Sequence, residues 1–162
     1  MGSSSHQNPT EVVRISDREQ VVTRTFNYPI SAVFDAWTRP ALLLRWWAPA
    51  SVGLTFEACE VDARTGGTYR FVFSHPAAPD PMAFFGRYVE VVPQARLVWT
   101  NEEAGEGGQV TTVTFEACEG GTRVVMLDRH PSREALDDAI SSGATCTFAE
   151  SFGQLDDVLL DP

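Results

Sequence analysis

Residues 34–49 read FDAWTRPALLLRWWAP, from Phe34 to Pro49, and this block with its flanks fixes most of the architecture. Ile30, Val33, Phe34 and Trp37 recur at the spacing of an amphipathic helix. Thr38 followed by Pro40 gives a stop and a new start, because proline suits the first turn of a helix and disrupts later ones. A second short helix is predicted to take in Leu42, Leu43, Leu44, Trp46 and Trp47 before Pro49 closes it. Neighbours on a helix point about 100° apart, so the two tryptophans cannot fill one hole in a core. Trp46 is expected to pack inward and Trp47 to line an opening.

Upstream, EQVVTRTFN (residues 19–27) is rich in Val and Thr with partial alternation and reads as a strand. Downstream, the segments VGLTFEACEVD, TYRFVFSH, MAFFGRYVEVV, RLVWTNE, QVTTVTFEA and TRVVMLD are separated by RTGG, a Pro-rich loop, PQA, AGEGG and CEGG. Strands joined by short Gly- or Pro-containing loops form an antiparallel meander. Six of them, with the N-terminal one, make seven.

After Pro131 the period changes again. Ser132 is a candidate N-cap. Ala135, Leu136, Ala139, Ile140 and Ala144, then Phe148, Phe152, Leu155, Val158 and Leu159, recur every three or four residues, predicting one long amphipathic helix to the end. A sheet with one apolar face and a helix with one apolar stripe bury each other, and a curved sheet leaves room for a cavity between them.

At 162 residues the chain is long enough for a single core, and one domain is expected over residues 18–162 after a loose polar tail at 1–17. A net charge of −10 argues against a nucleic-acid partner, whose phosphates need clustered cations. No apolar run approaches the roughly 20 residues needed to span a bilayer, so no membrane partner is expected. Cys59, Cys118 and Cys146 are odd in number and lack zinc-site spacing, which suits reduced thiols in a cytoplasm. His6, His75 and His130 form no metal triad. There is no dinucleotide fingerprint, P-loop or nucleophile elbow, Gly66-Gly67 and Gly107-Gly108 reading as turns. No cofactor is expected.

The order β-α-α-β₆-α, with FDAWTRPALLLRWWAP, EVDARTGGTYRFV, GRYVEVVPQARLVWT and FAESFGQLDDVLL, resembles the AHSA-type branch of the SRPBCC superfamily, the START-like or Bet v 1-like helix-grip domains. The resemblance covers about residues 19–160. It implies an α+β fold in which a curved antiparallel sheet of six or seven strands grips a long C-terminal helix over a hydrophobic cavity. Members commonly carry His where this chain has Asp128, and Gly with a bulky residue where it has Thr147-Phe148.

Several residues are candidates for the cavity wall. Trp47 would stack on a ligand at the entrance. Alternation in FFGRYVEVV puts Arg87 and Val89 on one face, so that if Val89 meets the long helix, Arg87 does too and serves an anionic head group or pairs with Asp128 or Glu57. A register shift at Gly86 would instead send Arg87 to solvent. Phe71, Trp99, Met126, Phe148 and Phe152 belong to the apolar lining, together with Phe73, Val113, Phe115 and Val124. Tyr69 would add a hydroxyl.

The leading expectation is a non-catalytic cytoplasmic domain that binds a small apolar or amphipathic molecule. A protein-interaction module regulating a chaperone ATPase is a weaker one, because the family's namesake carries a further domain. A cavity enzyme, a cyclase or hydrolase, would use Asp128 and His130 as acid and base. A homodimer is left open by the residues.

Overall fold

The computed structural model describes residues 8–102, 108–142 and 147–162. His6, Gly107, Ala144 and Cys146, singled out above, lie outside the described residues. Strand β1 (Glu11–Arg14) is followed by β2 (Glu19–Phe26), α1 (Ile30–Thr38), α2 (Pro40–Leu43) and a short 3-10 turn at Ala50–Val52. Next come β3 (Thr55–Val61), β4 (Thr68–Ser74), β5 (Met82–Val92), β6 (Arg96–Thr100), β7 (Val110–Cys118) and β8 (Gly121–Arg129). Helices α3 (Arg133–Ser141) and α4 (Thr147–Leu160) complete the order.

The strands form one antiparallel sheet of eight in the order β1-β2-β8-β7-β6-β5-β4-β3. The meander from β3 to β8 is closed by β2, which pairs with β8 from Glu19 opposite Arg129 to Phe26 opposite Thr122. The eighth strand is β1, inside the stretch expected to be a loose tail. It folds back on β2 as a hairpin, with Ile15 N and Ser16 N both donating to Glu19 O at 3.0 and 3.4 Å.

Two helical expectations are corrected. The C-terminal helix is in two parts: α3 ends at Ser141, with the Ser142 backbone N–H donating back to Asp138 O, and α4 begins at Thr147. Of α3 only Leu136 is buried, whereas α4 buries Phe152, Leu155, Val158 and Leu159. The apolar stripe is thus concentrated in α4, whose Phe152 meets Phe26 of β2, while α3 is tied to β1 by the Asp137–Arg14 ion pair. Ser132 caps α3 as expected, its Oγ accepting from Ala135 N at 3.1 Å. The second short helix stops at Leu43, before both tryptophans.

The core lies between the concave face of the sheet and α1, α2 and α4. Val22 and Phe26 of β2, Leu97, Val113 and Val124 meet Val33 and Leu155 with no exposure. Edge-to-face ring contacts tie the layers together, Phe34 to Phe115 at 5.3 Å and Phe26 to Phe152 at 5.6 Å. Each such side chain contributes about 1.5–3 kcal/mol by burial. No helix among the described residues is long and apolar enough to cross a membrane.

The alternation that buries Val22 and Phe26 also carries Arg24 inward. Arg24 is 4% exposed and ion-paired with Asp156 of α4, equally buried. Its Nη1 donates to Thr10 Oγ1 at 3.1 Å, and its guanidinium lies 5.3 Å from the centre of the Phe26 ring. Charge, neighbouring hydroxyl and ring together offset the loss of water that burial imposes.

Candidate functional site

The site is assembled around the turn that follows α2. Trp46 is 2% exposed and donates its Nε1–H to Ala36 O at 2.9 Å, which anchors the turn to α1. Trp47 is half-buried, its ring 5.4 Å from Phe71, 6.1 Å from Trp99 and 6.0 Å from Trp37, centre to centre. The two tryptophan rings meet edge to face, 5.4 Å centre to centre, with Trp46 buried in the core and Trp47 at its margin.

Polar side chains of α4 hold this turn by its backbone. Gln154 Nε2 donates to Trp46 O and Ala48 O at 3.0 Å each, and its Oε1 accepts from Ala50 N at 2.8 Å. Ser151 Oγ donates to Trp47 O at 3.2 Å. Glu150 accepts from Ser51 N at 2.9 Å and Ser51 Oγ at 2.5 Å, and these bonds lower its pKa. A segment without regular structure has its backbone groups satisfied by one face of one helix.

Two spaces adjoin Trp47. The inner one, of about 10 Å³, lies among Trp37, Leu43, Trp47, Phe71, Tyr88 and Trp99, with Tyr69 at its wall. The outer one, of about 170 Å³, lies at the start of α4 against Trp47, Met126, Phe148 and Phe152, with Trp37 and Ser151 beside them. The structure thus brings Trp47, Tyr69, Phe71, Trp99, Met126, Phe148 and Phe152 around this pair of spaces. The inner one is filled almost completely by rings.

Arg87 and Val89 do not belong to it. Arg87 is exposed and Val89 is 55% exposed on the outer face, while Gly86 and Tyr88 point inward. The register shifts between Tyr88 and Glu90, not at Gly86, and this bulge brings Val91 opposite Leu97 on the inner side. The partner of Arg87 is Glu102, Nε to Oε2 at 2.8 Å, rather than Asp128 or Glu57. Gly86 has another function. A Cβ there would stand 1.9 Å from Thr100 O, the same oxygen that accepts from the Tyr69 hydroxyl at 2.7 Å. A concavity of about 630 Å³ is an open groove on this outer face beside Arg70, Phe85 and Arg87, where Arg70 and Arg87 pair with Glu60 and Glu102.

Asp128 and His130 are buried at the end of β8, and neither lines the spaces around Trp47. Burial pushes the Asp128 carboxyl up, against the hydrogen bond from Thr111 Oγ1 at 2.7 Å and the nearby His130. Burial pushes His130 down, opposed by Asp128. Asn101 Nδ2 donates to Thr111 Oγ1 at 3.3 Å, and Asn101 Oδ1 lies 3.2 Å from the Tyr69 hydroxyl. A polar chain therefore runs from Asp128 through Thr111 and Asn101 to Tyr69 at the wall of the inner space. Sequence reasoning missed Gln154, Asn101 and Thr111, and the Arg24–Asp156 pair, although the phase of Arg24 with Val22 and Phe26 marks it as inward.

A curved antiparallel sheet gripping a C-terminal helix over an aromatic-lined space defines a helix-grip domain. The model of the family described as Activator of Hsp90 ATPase homolog 1-like protein matches residues 27–159, and the chain belongs to that family. The β1–β2 hairpin lies before the matched stretch. Similar solved structures include a Rhodobacter sphaeroides protein, 24% identical over 94% of this chain and 98% of that one, with a TM-score of 0.85. A Mycobacterium smegmatis protein is 21% identical over 94% and 98%, TM-score 0.80. One from Nitrosomonas europaea is 21% identical over 90% and 96%, also at 0.80. At these identities the likeness is one of fold. A search of the curated proteins found no match.

Proposed function

We propose that this chain binds a small apolar or amphipathic molecule at the start of α4, with Trp47 as the side chain that contacts it. The observation that carries this is the position of Trp47, half-buried with the outer space on its wall and the inner space on it too, while its backbone is fastened by Ser151 and its neighbours' by Gln154. An apolar concavity with a few polar groups is the usual form of a small-molecule site. Since the inner space holds almost nothing, a ligand larger than the outer space enters by moving the Trp47 ring, not the turn that carries it. The role is binding rather than catalysis, Asp128 and His130 being set apart from the aromatic walls.

Tryptophan-fluorescence titration with a panel of fatty acids, flavonoids and single-ring aromatics tests this. Saturable quenching by at least one member, absent in Trp47→Ala, is the expected result. A flat response to the whole panel, or quenching that survives in Trp47→Ala, would overturn it.

A further inference from the structure

We infer that the polar end of the ligand is positively charged, an ammonium rather than a carboxylate, an inference that rests on the binding role proposed above. All 12 cationic side chains of the chain are arginines, and it has no lysine. Eight of the arginines pair with carboxylates, and none lines either space beside Trp47. The residues just ahead of α4 in the sequence, Gly143, Ala144, Thr145 and Cys146, include no cation either. A carboxylate seated against these walls has no counter-ion, and an unpaired charge taken out of water is costly.

A head group left in water at the rim of the outer space meets a second obstacle. Glu150 adjoins Ser151, which is on the wall of that space, and its carboxylate holds Ser51, close in the chain to Pro49 of the same wall. The bonds from Ser51 lower the Glu150 pKa and so keep it ionised. The rim therefore carries a fixed negative charge, in a chain whose net charge is −10. The positive end of the α4 dipole, which by itself favours an anion, is already met by Glu150 in the first turn. What repels a carboxylate attracts a cation. Trp47 and Phe148 are half-buried and line the outer space, so each presents part of an aromatic ring to it. An ammonium is attracted to the electron-rich face of such a ring, more strongly where water is partly excluded.

Octyltrimethylammonium, octanol and octanoate share an apolar chain of nearly the same length and differ in the charge of the head group. Calorimetric titration of the full chain, below the concentrations at which they form micelles, is expected to rank them in that order, with the cation bound about tenfold more tightly than the carboxylate. Binding of the cation is expected to be lost in Trp47→Ala, which separates this site from the acidic surface at large. Glu150→Gln keeps an acceptor for Ser51 and removes the charge. The ratio of cation to carboxylate affinity is expected to fall about threefold in that variant, with uncharged octanol reporting whether the site itself survives. Where the variant loses octanol as well, the order in the native protein decides alone. Octanoate bound as tightly as the cation, a cation that still binds Trp47→Ala, or an unchanged ratio in a Glu150→Gln protein that binds octanol would overturn the charge assignment while leaving the binding role in place. So would a native protein that binds a member of the fluorescence panel and ignores octyltrimethylammonium. Failure of all three compounds and of the whole panel would overturn both.

Discussion

The side-chain amide of Gln154 donates to the backbone carbonyl of Trp46 at 3.0 Å. The same group serves Ala48 O and Ala50 N, so one residue of α4 satisfies the turn that presents Trp47. Gln154→Leu keeps the bulk and removes the bonds. It is expected to lower unfolding free energy by about 1–3 kcal/mol in urea titration and to shift tryptophan emission to the red. An unchanged midpoint and spectrum would show that solvent can replace the amide.

Arg24 and Asp156 offer a sharper energetic test. Removing one member of a buried ion pair strands the other, whereas removing both replaces the pair by packing. Asp156→Leu alone is expected to cost about 3–5 kcal/mol, and Arg24→Leu with Asp156→Leu to recover most of that loss. Additive losses in the double variant would contradict the pairing.

The pH dependence of stability follows from Asp128 and His130. Burial raises the Asp128 pKa above its ordinary 3.8, so its contribution is complete below that pH and is lost as pH rises through the raised folded value. Burial lowers the His130 pKa below its ordinary 6.5, so its contribution is complete above that pH and is lost as pH falls through the lowered value. Urea midpoints measured against pH are therefore expected to show Asp128→Asn gaining on the native chain as pH rises. His130→Gln is expected to lack the decline below pH 6.5. Parallel curves for all three proteins would contradict both assignments.

Arg87 was the sharpest candidate of the sequence, and its placement on the outer face has a clear consequence. Arg87→Ala is expected to leave small-molecule titrations unchanged and stability little altered, because an exposed ion pair is screened by water. The Glu102 pKa, held below its ordinary 4.5 by hydrogen bonds from Arg87 and Thr100, is expected to rise in the variant. Weakened binding would place Arg87 back at the ligand.

The sheet and its meander were legible because alternation and Gly or Pro turns are local signals. The end of α3 at Ser141 was not, since Ala144 and Phe148 continue the period of Ala139 and Ile140 in the sequence. Strand β1 was hidden because its four residues, Glu11–Arg14, are all exposed, leaving no in-and-out alternation to read. For Arg87, the alternation with Val89 holds but both face outward, because the extra residue between Tyr88 and Glu90 puts Val91, not Val89, on the inner side. The aromatic walls were readable from residue type. The hydrogen bonds from Gln154 were not, because they join residues far apart in the chain.

The most direct test of binding at the Trp47 spaces uses the methionine methyl groups. The chain has three methionines, Met1, Met82 and Met126, of which Met126 lines the outer space and Met82 lines neither. In protein labelled with ¹³C at the methionine methyl carbons, titration with a compound of the fluorescence panel that quenches saturably is expected to move the Met126 signal saturably and to leave Met82 in place. A Met126 signal that stays still while tryptophan fluorescence saturates would put the ligand elsewhere on the protein and contradict the site.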